Sequence, residues 1–307
     1  MYIIAENIHI VSNRVERAIA ERDETFFQAL AERLVDAGAR AIDLNIGPQK
    51  KEGHEILPWL VETIEPVVDV PLAFDTVNVT AIETACKTVT KAQPIINSTD
   101  ARPERLERIP ALAQTFDARL IALTMGEGLI PVSADERVSI ALERIIPHML
   151  AIDFPIEDLI IDPLVLTVSG SQAHCPEFLD AVRMLKVAWD PPPATNGGLS
   201  NVSSGVPREM RPLINRTYMV MLMGAGIDMV IADPLDEELM EWIRVIETRD
   251  ESTPLNRLLL TLHDRVEAME ELKEADVDLS DPQQVAVWKT VQVLTNQVIY
   301  TDSYLRL

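Results

Sequence analysis

The sequence predicts an α/β protein folded as a (β/α)8 barrel, the TIM-barrel class, with a helical hairpin inserted near its C-terminal end. Three observations predict it. Short apolar segments alternate with helical periodicity eight times over roughly 245 residues, the span such a barrel occupies. No Gly-x-Gly-x-x-Gly follows an early strand, so the main sign of an open doubly wound sheet is missing. A polar residue also stands at or just past most of the apolar segments: Glu6, Asp43, Asn45, Asp75, Asn97, Thr124, Asp162, Asn201 and Asp233. In a barrel of parallel strands these positions ring one mouth, where sites are built from strand ends.

In chain order, the first strand spans 2–5. Residues 24–37 carry Phe27, Leu30, Ala31, Leu34 and Val35 at helical spacing and stop at Gly38, a residue suited to a helix C-terminus. The second strand, 41–44, runs into Asn45-Ile46-Gly47-Pro48 and a helix over 56–67. Strand 70–74 precedes a helix over 79–89, and strand 94–96 a helix over 106–116. Strand 120–123 leads to a longer helix over 134–151, and strand 159–161 to a helix over 176–186. Segment 195–199 is a weak seventh strand, followed by a helix over 211–226. The eighth strand, 229–232, is followed by a helix over 235–246. Beyond Arg249 the pattern changes. Segments 255–272 and 283–300 are both helical, and an acidic, turn-forming, Pro-terminated stretch separates them. We expect a barrel over 1–248 and a helical extension over 249–307 packed on it. Leu255, Leu258, Leu259, Leu262 and Val266 need an apolar surface to cover them.

Of the 307 residues 47% are hydrophobic, enough for a sizeable core. The net charge of −22 argues against nucleic acid and anionic membranes, which it would repel. The two cysteines, Cys86 and Cys175, lie far apart and lack Cys-x-x-Cys spacing. That pattern predicts a reducing, cytoplasmic setting without a disulfide framework. Met1–Asn7 reads as a buried strand rather than a signal peptide, and no apolar run approaches the ~18 residues a membrane span needs.

The stretch 196–217 stands out. It opens apolar, closes as a helix start, and between them holds glycines, small polar residues, Arg208, Arg211 and Arg216. Glycines admit a flat ligand close to backbone, and an Asn at a strand end offers a donor and an acceptor. Asp75, Asn97 and Asp162 follow the third, fourth and sixth strands. A buried carboxylate accepts two parallel N–H donors from the edge of a polar heterocycle, and an Asn serves a neighbouring donor–acceptor pair. Without basic residues beside them in sequence, the two carboxylates are expected to have raised pKa values.

Nine segments are recognisable together: A-I-D-L-N-I-G-P (41–48), F-D-T-V-N (74–78), I-N-S-T (96–99), A-L-T-M (122–125), I-D-P-L (161–164), G-L-S-N-V-S (198–203), R-P-L-I-N-R-T (211–217), I-A-D (231–233) and Y-T-D-S-Y (300–304). With these the chain resembles the pterin-binding methyltransferases, most closely the methyltetrahydrofolate:corrinoid/iron-sulfur protein methyltransferase branch. The segments follow the family's order and span nearly the whole chain.

The resemblance implies a barrel, a homodimer, and transfer of the N5 methyl of 5-methyltetrahydrofolate to or from the cobalt of a corrinoid (cobalamin) carried by a partner protein. It implies that Asp75, Asn97 and Asp162 hold the pterin ring, that Asn201 turns toward N5, and that Arg211 lies near the substrate. Gly198 and Ser200 belong to the same substrate-binding motif. We expect Asn201, Asp75 and Asp162 to be catalytic, Asn201 donating to N5 and the carboxylates passing the proton through water. Alternatives are a tetrahydrofolate-dependent component of an O-demethylase or methylamine-type corrinoid system, or a non-catalytic pterin-binding subunit.

Two departures mark this chain. The segment between Asn201 and Arg211 is two residues longer than the family pattern, with Ser204-Gly205 where the family has Gln-Asn. Roughly forty residues also stand between D-E-E-L (236–239) and the terminal Tyr motif. No histidine has the Asp-x-His-x-x-Gly surroundings of corrinoid-binding chains, and no Cys cluster is present for a catalytic zinc. We therefore expect no metal here, His174-Cys175 included, and place the corrinoid on the partner. The site Lys pattern of dihydropteroate synthases is absent as well.

Overall fold

The computed structural model describes residues 1–128 and 130–305; the last two residues of the expected extension lie outside them. The chain runs β1 (Tyr2–His9), α1 (Asn13–Glu21), α2 (Glu24–Asp36), β2 (Ala41–Asn45), α3 (Gly53–Ile64), β3 (Leu72–Asp75), α4 (Val79–Thr88), β4 (Ile95–Asp100), α5 (Pro103–Thr115) and β5 (Arg119–Leu123). It continues through α6 (Ala134–Ile140), α7 (Ile146–Ala151), β6 (Leu159–Asp162), α8 (Val168–Ser171), α9 (His174–Ala188), β7 (Ala194–Thr195), α10 (Arg211–Gly224), β8 (Met229–Ala232), α11 (Glu237–Thr248), α12 (Pro254–Glu267), α13 (Pro282–Leu294) and α14 (Asp302–Leu305). All strand pairs are parallel, each strand beside its sequence neighbour, and β1 pairs with β8. The barrel closes where the Ile231 N–H donates to Gly197 O at 2.9 Å and Gly198 bridges to Ile231. The predicted (β/α)8 barrel is the observed fold.

Strand alternation sorts the side chains. Ile4, Ala41, Ala73, Ile95, Ile121, Ile160 and Met229 form one buried cluster inside the barrel. The intervening residues, such as Ile42, Phe74, Ile96 and Ile161, pack outward against the helices around β1–β6. A separate outer cluster joins α9 to α13 around β7 and β8.

The structure corrects several element readings. The seventh strand is only Ala194–Thr195, and Leu199–Ser203 is a 3-10 turn. Asn196, Gly197 and Gly198 are poor strand formers, and the turn buries Leu199 and Val202 instead. Helix α1 was not predicted: only Val15, Ala18 and Ile19 are buried in a nine-residue, highly charged segment. The helix expected over 134–151 is interrupted by a π-helical stretch, Ala141–Ile145. Both tail helices end early, before the left-handed residues Met269 and Asn296. They begin on Pro254 and Pro282, behind Thr253 and Asp281 side chains that cap them.

Helices α12 and α13 both pack on α10. Leu258, Leu259, Leu262, Val266, Val287 and Val291 are buried in one cluster with Tyr218 and Leu222. Gln172 ties the chain end down: its Nε2 donates to Val293 O (2.8 Å) and Val298 O (2.6 Å), and its Oε1 accepts from Tyr300 N (2.7 Å). No helix of the described residues is long and apolar enough to cross a membrane.

At Gly224 the last turn of α10 meets α12. A Cβ there would lie 2.6 Å from His263 O and 3.0 Å from the Val266 Cβ. In an unobstructed helix Gly→Ala stabilises by up to about 1 kcal/mol. Here the sign is expected to invert: Gly224→Ala loses about 1–3 kcal/mol through overpacking, read as a lower urea midpoint. An unchanged or raised midpoint would mean that α12 is not seated on α10.

Candidate functional site

The inward-facing residues turn from apolar to polar one step up each strand. Ile4 is followed by Glu6, Ala41 by Asp43 and Asn45, Ala73 by Asp75, Ile95 by Asn97, and Ile160 by Asp162. Together these polar residues line a cavity of about 720 Å3 at the mouth of the barrel. Every residue that the sequence put forward (Asp75, Asn97, Asp162, Gly198, Ser200, Asn201 and Arg211) lines it. A second cavity, about 570 Å3, lies against α1 and α2 and contains none of these groups.

Asp75 and Asn97 are register partners on β3 and β4, and Asn45 and Asp75 on β2 and β3. Asp43, Asp75 and Asp162 each meet a carboxamide. Asn97 Nδ2 donates to Asp43 Oδ1 at 3.1 Å, Asn45 Nδ2 donates to Asp75, and Asn196 Nδ2 donates to Asp162 Oδ2 at 2.7 Å. The Leu164 N–H donates to Asp162 Oδ1 at 2.8 Å. A carboxylate oxygen accepts two hydrogen bonds, so each Asp162 oxygen keeps one lone pair for a pair of parallel donors.

Carboxamides satisfy these acids without neutralising them, so desolvation dominates. Burial pushes Asp162 up to about 6, against the bonds from Leu164 and Asn196. Burial likewise holds Asp75 at about 6, opposed by Asn45. Asp43 is raised well above the carboxylate range by burial, then by nearby Asp75. Glu6, buried and bonded by Ser200 Oγ, is pushed up to about 7, with Asp233 adding to the burial effect. Burial thus shifts the pKa values of Asp75 and Asp162 upward, the direction expected for them.

Asn201 is exposed at the rim and makes no side-chain hydrogen bond among the described residues. Its amide folds back over Gly198, where an added Cβ would sit 2.8 Å from Asn201 Nδ2. Of the three arginines singled out, Arg211 faces the cavity, Nε donating to Val206 O at 2.7 Å. Arg216 is instead bound to Asp236 and Glu238, and Arg208 stays exposed.

Sequence reasoning missed Arg137, Asn196, Ser98 and His9. Arg137 is fully buried. It donates to Pro131 O (3.1 Å) and Leu164 O (3.2 Å) and meets His174 Nδ1 at 2.6 Å, pinning the loop after β6 under Asp162. An arginine in a charged helix reads as surface, so nothing in sequence marked it. His174 and Cys175 point to different partners, Cys175 Sγ facing Leu166 O at 3.7 Å. Among the described residues, His263, Asp264 and Glu267 on α12 lie close enough together that they could hold a metal ion, but Asp264 is ion-paired to Arg249.

Fold and site together define a (β/α)8 barrel whose polar, carboxylate-ringed mouth is built on strand ends. The chain belongs to the pterin binding enzyme family, whose profile matches residues 13–233. It is 26% identical over 245 residues to the methylcorrinoid:tetrahydrofolate methyltransferase of Eubacterium limosum, covering 78% of this chain and 88% of that protein. It is 25% identical over 205 residues to the methionine synthase of Mycobacterium tuberculosis, covering 63% of this chain but 17% of that much longer protein. In fold it is similar to the dihydropteroate synthase of Thermus thermophilus (TM-score 0.56, 19% identity, 80% of this chain and 93% of that chain). The Xanthomonas albilineans dihydropteroate synthase gives the same TM-score, 0.56, at 17% identity over 82% of this chain and 93% of that one.

The raised acids carry a stability signature. A carboxyl whose folded pKa exceeds its unfolded value stabilises fully below the unfolded pKa, and that stabilisation is lost as pH rises through the folded one. For Glu6 the window runs from 4.5 to about 7. Glu6→Gln, which retains an acceptor for Ser200, is expected to match wild type near pH 4. By pH 8 it should be more stable than wild type by on the order of 1–3 kcal/mol, read as a higher melting temperature. The decline left between pH 4 and 6 belongs to Asp75 and Asp162. Parallel melting profiles for the two proteins across pH 4–8 would show that Glu6 is not desolvated.

Proposed function

We propose that this protein transfers a methyl group between N5 of a tetrahydrofolate and the cobalt of a corrinoid carried by a partner protein. The observation that carries the reading is the Asp162 carboxylate, buried, held by Leu164 and Asn196, with acceptor capacity left on both oxygens toward the cavity. That geometry suits the paired ring N–H and exocyclic amine of a pterin. Asn97, its amide nitrogen committed to Asp43, presents its oxygen as an acceptor, and Asp75 closes the other side. Membership in the pterin binding enzyme family and the relative named for methylcorrinoid:tetrahydrofolate transfer support the same reading. That relative's name describes transfer toward tetrahydrofolate, and one site serves both directions by microscopic reversibility.

In this proposal Asn201 donates to N5. Its freedom at the rim, unbonded and over a glycine, lets it follow the change at nitrogen. The bond strengthens as negative charge develops on N5, so it stabilises the transition state more than the ground state. The proton is passed to N5 by way of Asp75, Asp162 and water, the carboxylates relaying it rather than holding it in the bound state. The corrinoid, when the partner presents it, supplies the cobalt that takes or gives the methyl. Residues 1–248 form the pterin-binding barrel of this proposal and 249–307 an extension remote from the mouth. We further propose a cytoplasmic homodimer.

Asp162→Asn is expected to stay folded and to weaken methyltetrahydrofolate binding by about 1.5–3 kcal/mol. Wild-type affinity should fall as pH drops through about 6, because protonation removes the acceptor, and the variant should flatten that dependence. Unchanged titration curves would sink the pterin assignment. Asn201→Ala is expected to slow single-turnover methyl transfer roughly 10–1,000-fold while lowering affinity less. Unaltered transfer to free cob(I)alamin would remove Asn201 from the chemistry.

A further inference from the structure

A charge taken out of water is costly unless something offsets it. Arg137 is fully buried, yet it forms no ion pair among the described residues. Its guanidinium instead joins three elements. Nε donates to Pro131 O (3.1 Å) in the loop after β5, Nη1 donates to Leu164 O (3.2 Å) in the loop after β6, and Nη2 meets His174 Nδ1 (2.6 Å) on α9. Leu164 stands at φ 73°, in the left-handed region where a bulky residue is rarely found. In that turn its carbonyl faces Arg137 while its N–H donates to Asp162 Oδ1 at 2.8 Å. We propose that Arg137 is a positioning residue for Asp162: it holds Leu164 in the turn that aims this N–H, sets a cation behind the carboxylate, and so keeps Asp162 ionised for its ligand. The proposal rests on the reading of Asp162 as the acceptor of the pterin N–H groups.

The balance of forces on Asp162 supports the role. Burial pushes this carboxyl up to about 6, and the Leu164 N–H, the Asn196 amide and the Arg137 charge pull the other way. Two of those three oppositions depend on Arg137, one directly and one through the turn. Burial lowers the pKa of Arg137, but from so high a value that the guanidinium stays charged. Burial, and then Arg137 itself, lower the pKa of His174, so its ring is neutral near pH 7 and Nδ1 accepts. The other groups around the arginine leave its charge uncompensated at close range. Burial pushes Cys175 up to about 12 and Tyr218 well above its usual value, so both are neutral. Glu177 is taken up by the Ala134 N–H at 2.7 Å. On the cavity side Asp162 shares the mouth with Glu6, His9, Asp43, Asp75 and Arg211.

The test follows Asp162 itself, by carbon-13 NMR of the aspartate carboxyls in the ligand-free protein, with Asp162→Asn identifying its signal. Arg137→Gln is neutral but can still donate to a carbonyl, and should raise the Asp162 midpoint by about one pH unit. Arg137→Lys keeps the cation without the fork and should raise it by less. Affinity for 5-methyltetrahydrofolate should track the ionised fraction. For Arg137→Gln it should be about fivefold weaker than wild type at pH 6 and nearly equal at pH 8. A merely structural role would weaken binding alike at every pH and leave the midpoint in place. The proposal is overturned if Asp162 titrates as in wild type in whichever of the two variants folds, or if the affinity loss is the same at pH 6 and pH 8. If wild type binds no methyltetrahydrofolate while the midpoint still moves, the pterin reading falls and the hold of Arg137 on Asp162 stands.

Discussion

Alternation along a parallel strand puts every second side chain inside the barrel, and in this chain the step from one inward position to the next crosses from hydrocarbon to acid. Ile4 to Glu6, Ala73 to Asp75 and Ile160 to Asp162 are the same two-residue step on three strands. The closed apolar cluster below seals the barrel against water from beneath. The acids above therefore stand on a floor of low polarisability with solvent on one side only. Their raised pKa values, the need for carboxamide partners, and the capacity to accept neutral donors all follow from that layering.

The choice of partners matters as much as the burial. A cation beside each acid would restore ordinary acidity and occupy the acceptor sites. Asn45, Asn97 and Asn196 satisfy the oxygens and leave the charge uncompensated. Positive charge is kept at one remove. Arg137 lies beneath Asp162 and is tied to carbonyls rather than to the carboxylate, and Arg208 and Arg211 stand at the rim.

Helix α10 links the mouth to the periphery. Its first residue, Arg211, faces the cavity, and its last, Gly224, admits α12. The apolar faces of α12 and α13 thus pack on the helix that presents the arginine. The roughly forty-residue addition coexists with an intact ring of strand-end residues.

Local pattern determined much of this. Short apolar runs, helical spacing and strand-end acids are all within reach of a period count, because barrel strands and their helices are built from neighbours in sequence. The same count put Asp75, Asn97, Asp162 and Asn201 at strand ends, the family resemblance added Gly198, Ser200 and Arg211, and all seven line one cavity. The count failed where structure depends on residues far apart. Ala194–Thr195 is a strand only because β6 pairs with it, and the closure at Gly198 depends on Ile231. Helix α1 exists because three small apolar side chains find a surface made by other elements. Arg137 had no local signal at all. Burial and hydrogen-bond partnership are properties of the assembled wall, and an arginine in a charged helix reads the same in sequence whether it faces water or lies beneath an acid.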